Sequence, residues 1–207
     1  MRSRELTSAQ LTQLADTLKT VERELPDSGT ALTNETMRIG FLISEVDEQF
    51  SQLVWRREWR WAMFPRKTIA DAFRRRDDEL QRIKGIDQMD FKAAKEELER
   101  ISNESFAMRN TVVHESEINF KSFLISRREV LTRLRLLQAA TTFLVSGESV
   151  PIADPFGDKL FLQANGKTTR IWSIGQDAKN DGGRGELFGG PDMVIEVPQG
   201  ISVTLTK

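Results

Sequence analysis

The sequence predicts an α+β protein: a mostly helical N-terminal region of about five helices, packed with a small C-terminal antiparallel β module. Three observations carry this. Apolar residues recur at three- and four-residue spacing through residues 1–147, which is the rhythm of one helix face. From residue 148 the pattern changes to short apolar or β-branched runs punctuated by glycine, proline, asparagine and aspartate. Two of these runs flank Asn165-Gly166, a pair suited to the two positive φ angles of a type I′ hairpin turn. The division is therefore 1–147, helical region, and 148–207, β module with a glycine/aspartate-rich loop. No repeat, low-complexity tract or Gly/Ser linker separates them, and Ser146 to Ile152 is the joint.

Leu11, Leu14, Leu18, Val21 and Leu25 form the first stripe, with Thr7 or Ser8 as cap and Pro26-Asp-Ser-Gly29 as the stop. Ile39, Ile43, Val46, Phe50 and Leu53 form the second, with Thr33 or Asn34 as N-cap. Pro65 precedes a third helix carrying Ile69, Phe73, Leu80 and Ile83. There, Arg74-Arg75-Arg76 followed by Asp77-Asp78-Glu79 places opposite charges three and four residues apart, where they pair on a helix face. Phe91, Ala94, Leu98 and Ile101 mark a fourth helix after Asp90, which Ser102 to Ser105 either interrupts or lines on its polar side. Phe120, Phe123, Leu124, Leu131, Leu134 and Leu137 mark a last long helix ending near Gly147, broad enough in apolar surface to join the two regions into one core.

In the module, Asp154-Pro155 is a rigid turn, because proline fixes φ and drives its predecessor out of the helical region. Strands follow at Lys159 to Ala164 and Lys167 to Ile174. Gly175 to Gly190 holds too few apolar side chains for a core and must be a loop ordered by something else. Asp192 to Val197 resumes as a strand.

Composition excludes several functions. Net charge is −1 with 30 basic and 31 acidic residues, so there is no overall field to hold nucleic acid. Absence of cysteine removes disulfides, thiolate metal sites and thiol nucleophiles. His114 is the only histidine and has no Gly-x-Ser-x-Gly elbow beside it, and Gly182-Gly183-Arg184-Gly185 lacks the Lys-Ser/Thr of a phosphate loop. No catalytic signature is present, and the chain is not expected to be an enzyme.

Two sets of residues remain as candidate sites. Trp55, Trp59 and Trp61 interleave with three arginines; they are either a partner-binding surface or core aromatics edged by arginine. Asp177, Asp181 and Asp192, with Asn180, offer hard oxygen ligands to a structural calcium ion in a loop costly to order without one. The spacing is not that of an EF-hand, since Lys179 and Phe188 occupy required ligand positions. The alternative is a solvated glycine turn in which the aspartates act as caps.

Asp154-Pro155-Phe156-Gly157, Ser173-Ile174-Gly175-Gln176-Asp177, Asp181-Gly182-Gly183 and Asp192 follow one another in the order found at the end of the major pseudopilin of bacterial type II secretion. The chain's last quarter resembles that module, which also closes a broad set of bacterial envelope proteins with long helical N-terminal regions. Ala178 stands where the family has glycine, and Arg184 to Pro191 lengthens the loop. The resemblance implies a pseudopilin-like, non-enzymatic structural or assembly component of the cell envelope, located outside the cytoplasm in the periplasm or at the cell surface. It implies envelope or secretion-system proteins as partners, a structural calcium in the loop, and an inner-membrane anchor ahead of this chain as the only membrane contact. The competing reading is an extracytoplasmic binding module that takes a peptide, glycan or lipid on Trp55 to Trp61 or in a helical cleft.

Overall fold

Thr7 starts the first helix by closing a capping box. Its hydroxyl accepts the Gln10 N–H, and the Gln10 side chain accepts the Thr7 N–H at 2.9 Å. These contacts come from a computed structural model that describes residues 6–33, 66–107, 120–148, 151–187 and 190–198. Helix α1 (Ser8–Glu24) ends at Leu25-Pro26. Its buried stripe is Leu11, Ala15 and Leu18, while Leu14 and Val21 are 38% and 41% exposed. The stripe is thus rotated from the expected one. Glu22 continues it, its carboxylate accepting bonds from Arg135 and Gln138, both at 2.8 Å. A small residue and a bonded acid, rather than the leucine spacing, fix which face turns inward.

A second helical stretch starts at 28, earlier than Thr33 or Asn34, because the Asp27 carboxylate accepts the Thr30 N–H and hydroxyl. Its expected apolar stripe, Ile39 to Leu53, lies outside the described residues, as do Trp55, Trp59, Trp61 and His114.

Helix α2 (Arg66–Ile83) leads through a 3₁₀ turn, Ile86–Gln88, to α3 (Phe91–Ala107). Phe91, Ala94, Leu98 and Ile101 are all buried, as their spacing requires, and α3 runs through Ser102 to Ser105 unbroken. Asp90 caps it by accepting the Ala93 N–H. The charged run on α2 does pair, Arg75 with Glu79 and Arg74 with Asp71, although Glu79 is buried rather than solvated. Arg82 spans to Glu97 and Glu104 of α3, and Ser28 donates twice to Asp87 at 2.6 Å.

Helix α4 (Phe120–Ser146) stops at Gly147, whose φ of +72° lets its N–H return to the Phe143 carbonyl. The sheet that follows is an antiparallel meander of β1 (Phe161–Asn165), β2 (Thr168–Ser173) and β3 (Met193–Pro198) in the order β1-β2-β3. The fold is α+β, mostly helical with a small antiparallel sheet.

The hairpin turn differs from the expected one by a residue. Asn165 pairs with Thr168, so the central residues are Gly166 and Lys167, and Gly166 alone has positive φ. That is the type II′ pattern, with glycine first, rather than type I′ on Asn165-Gly166. The register explains the shift. It sets Phe161 opposite Trp172, with rings stacked at 5.5 Å and 18°, and Leu162 opposite Ile171. Centring the turn on Asn165-Gly166 would slide Phe161 to Arg170 and lose that stack.

The chain forms two compact units. One is Pro26–Leu124; the other joins Met1–Leu25 to Ile125–Lys207. The expected boundary at 147/148 falls inside the latter unit, which holds most of α4, α1 and the β module together.

Candidate functional site

The module is built on Asp154, which is 4% exposed. Its Oδ1 accepts the Phe156 N–H at 3.0 Å and the Ser173 hydroxyl at 2.7 Å, and its Oδ2 accepts the Ile174 N–H at 3.1 Å. Pro155 fixes the turn, and the Gly157 N–H returns to the Asp154 carbonyl. Ser173 also accepts the Gly175 N–H, so one side chain ties the Asp-Pro turn to the end of β2 and the start of the loop. Burial pushes the Asp154 carboxyl above the usual carboxylate range. The Phe156, Ser173 and Ile174 donors and the Arg135 charge oppose that rise.

A second buried carboxylate organises the loop. Asp192, at 0% exposure, accepts the Gly183 N–H at 2.8 Å and the Arg184 N–H at 3.2 Å on Oδ2, and the Asp181 N–H at 3.4 Å on Oδ1. The loop lies over one face of the sheet. Trp172 donates its indole N–H to Asn180 Oδ1, which also accepts the Gly182 N–H. Gly183 is buried against the same ring, with φ +73°, and a Cβ there would sit 3.2 Å from the indole. What orders this apolar-poor loop is thus a tryptophan under it and an aspartate at its end.

The expected calcium ligands are placed differently from one another. Asp177 is exposed and accepts the N–H of Lys179 in a local turn; Asp181 is exposed; Asp192 is buried with both oxygens turned to backbone N–H groups. Among the described residues no group of three or more acidic or histidine side chains is placed to hold a metal ion. Asp192 faces donors, not a gap between oxygens, so this donor set does not fit calcium.

Ala178 adopts φ +56° and donates its N–H to the Gly175 carbonyl. This is the left-handed conformation that glycine favours, taken here by an alanine.

Helix α4 holds the module by arginine. Arg128 donates to the Pro155 carbonyl, Arg135 to that of Ala153, and Arg133 to that of Leu187. Arg128 and Arg135 are seven apart on one helix face and bracket Asp154 from both sides. Glu22 bonds Arg135 in turn, which links α1 into the same network. These arginines were not apparent as site residues, and Asn180, expected among the oxygen ligands, instead accepts from Trp172 and Gly182. The seven-residue spacing opposite an Asp-Pro turn is the one signal that could have found the pair.

Two outcomes follow from this geometry. Left-handed alanine costs about 1 kcal/mol and glycine loses part of that in chain entropy, so Ala178→Gly should stabilise the chain by roughly 0.5 kcal/mol in urea unfolding. For Asp154, a raised folded-state value means that its contribution is complete below the unfolded value of about 4 and is lost as pH rises through the folded one. The stability advantage of the parent over Asp154→Asn should therefore grow as pH falls from about 7 to about 4, measured by urea titration at each pH. An advantage that shrinks on acidification would mean that the anion is the favoured form.

Compared with known proteins, the chain matches no family model, no curated protein and no solved structure, so a function has to be argued from these residues.

Proposed function

We propose that the chain is a non-enzymatic structural or assembly component of a bacterial cell envelope, pseudopilin-like and belonging to type II secretion or a related system. In this reading it lies outside the cytoplasm, held at the inner membrane in its native form, with envelope or secretion-system proteins as partners. One observation carries it: the residues that bear the resemblance are spent on one another. Asp154 bonds Ser173 and Ile174; Asp192 bonds Gly183 and Arg184. A motif consumed in this way builds a module rather than a reaction centre. Both buried acids have their oxygens occupied by donors of the chain itself, which leaves neither placed to move a substrate proton.

Subcellular fractionation of the native host, with a membrane-impermeant amine label on intact cells or spheroplasts, tests the reading. The protein should fractionate with the envelope, take up the label, and cross-link to envelope proteins. Recovery in the cytosol, unlabelled while a periplasmic marker is labelled, would overturn it.

A further inference from the structure

Two dipeptides in the β module carry the same latent chemistry. Asn165-Gly166 is the one Asn-Gly sequence of the chain, and Asp181-Gly182 its one Asp-Gly. In either pair the nitrogen of the glycine can attack the Cγ of the residue before it and close a five-membered imide. Glycine favours this, because it has no Cβ to hinder the approach or to restrict φ. The side chain and the nitrogen must both be free to move, and the fold treats the two pairs oppositely.

At Asp181 the backbone is held. The Gly182 N–H donates to Asn180 Oδ1 at 3.0 Å, and the same oxygen takes the Trp172 indole N–H. The Asp181, Gly183 and Arg184 amides on either side are bonded to the buried Asp192. Closing a ring there would draw the glycine nitrogen from its acceptor and disturb the amides that Asp192 collects.

At Asn165 little is held. The side chain is exposed, and among the described residues neither its amide nor the Gly166 N–H has a hydrogen-bond partner. The space at Gly166 is open as well, since a Cβ built there would meet nothing within 4 Å. As the last residue of β1, Asn165 has an extended backbone, with ψ about +135° in antiparallel strands, which turns the Gly166 nitrogen away from the Asn165 side chain. Rotating ψ brings the two together and breaks only the Asn165–Thr168 pair at the tip of the hairpin. The next bonded pair, Gln163 with Arg170, stays in place. Opening confined to a hairpin tip lies at the low end of local unfolding costs.

We propose that Asn165-Gly166 is a self-modification site, at which Asn165 becomes isoaspartate or aspartate in the folded chain, while Asp181-Gly182 is shielded. Solvent base takes the Gly166 amide proton, and the nitrogen bonds to Asn165 Cγ. The Cγ–Nδ2 bond breaks, and Nδ2 leaves as ammonia with a proton from water. Water then opens the imide. Opening at Cγ leaves aspartate; opening at the main-chain carbonyl leaves isoaspartate, with the chain running through Cβ and Cγ. The sum is one water consumed and one ammonia released, with no oxidation or reduction. Isoaspartate adds one atom to the main chain at the pair that closes the hairpin and sets the register of β1 against β2. Its free α-carboxylate is the group that a carboxyl methyltransferase using S-adenosylmethionine would recognise. The inference stands on the hairpin alone, so it holds or fails independently of where the chain resides.

The test ages the whole chain at mildly alkaline pH, folded and in urea, and follows both sites by peptide mass spectrometry. Folding should slow the loss of the Asn165 amide by no more than about 10-fold, and isomerisation at Asp181 by about 100-fold or more. With an isoaspartyl methyltransferase as the probe, the aged folded chain should accept methyl groups from S-adenosylmethionine at residue 165. Asn165→Gln, whose longer side chain would have to close a six-membered ring, should abolish both signals at that position with the circular dichroism unchanged. Equal slowing at the two sites, an Asn165 amide that survives in the folded chain while it is lost in urea, or aspartate formed at 165 without isoaspartate would each overturn the inference.

Discussion

The β module depends on two carboxylates taken out of water and satisfied by backbone N–H groups. Removing a carboxylate from water costs several kcal/mol, and a single charge-assisted bond returns about 1.5 to 3, so several donors are needed to offset much of that cost, and at Asp154 burial still outweighs them. Asp154 and Asp192 each have three donors. Five of those six donors are main-chain amides, which converge only after the Asp-Pro turn and the glycine loop have taken their final shape. These acceptors therefore select the conformation of the turn and loop. An amide left without its acceptor, or an acceptor without its amides, would be worse than either group in water.

The second face of the sheet shows why the loop needs no apolar core of its own. Phe161, Trp172 and Val194 share that face in register, with the phenylalanine and tryptophan rings stacked. Gly183 approaches the indole closely and Asn180 accepts its N–H. One large aromatic supplies the apolar area and fixes the polar contact that orients the loop above it. The arginines of α4 then bind the outer carbonyls of the turn and loop, and Glu22 connects α1 to the same helix. In the described residues of the module, the two buried carboxylates are thus taken up by donors of the chain itself.

How much of this the sequence disclosed depends on the distance between partners. Local signals read well. The spacing of Phe91, Ala94, Leu98 and Ile101 marked a buried face, Gly147 marked a helix end, and Thr7 was one of two candidate caps. The hairpin was legible but its turn was off by one, since the Phe161–Trp172 stack outweighs the preference of Asn-Gly for a type I′ turn. On α1, leucine spacing pointed to Leu14 and Val21, whereas Ala15 and Glu22 lie on the inner face because Glu22 has partners 113 and 116 positions away. The loop was seen to need an organiser, and its aspartates were named with two roles, ligands of a metal or caps of a glycine turn. Which aspartate caps which amides, like the bond from Ser173 to Asp154 across 19 positions, has no periodicity to betray it.

The central claim is that Asp192 orders the loop through backbone amides. Hydrogen exchange of the Gly183 and Arg184 amides in the full chain tests it most directly, comparing the parent, Asp192→Asn and Asp181→Ala with chelator and with about 1 mM calcium. The account predicts slow exchange in the parent and in Asp181→Ala whether or not calcium is present, and protection lost by about 10-fold or more in Asp192→Asn. Protection that appears only with calcium and vanishes in Asp181→Ala would contradict it.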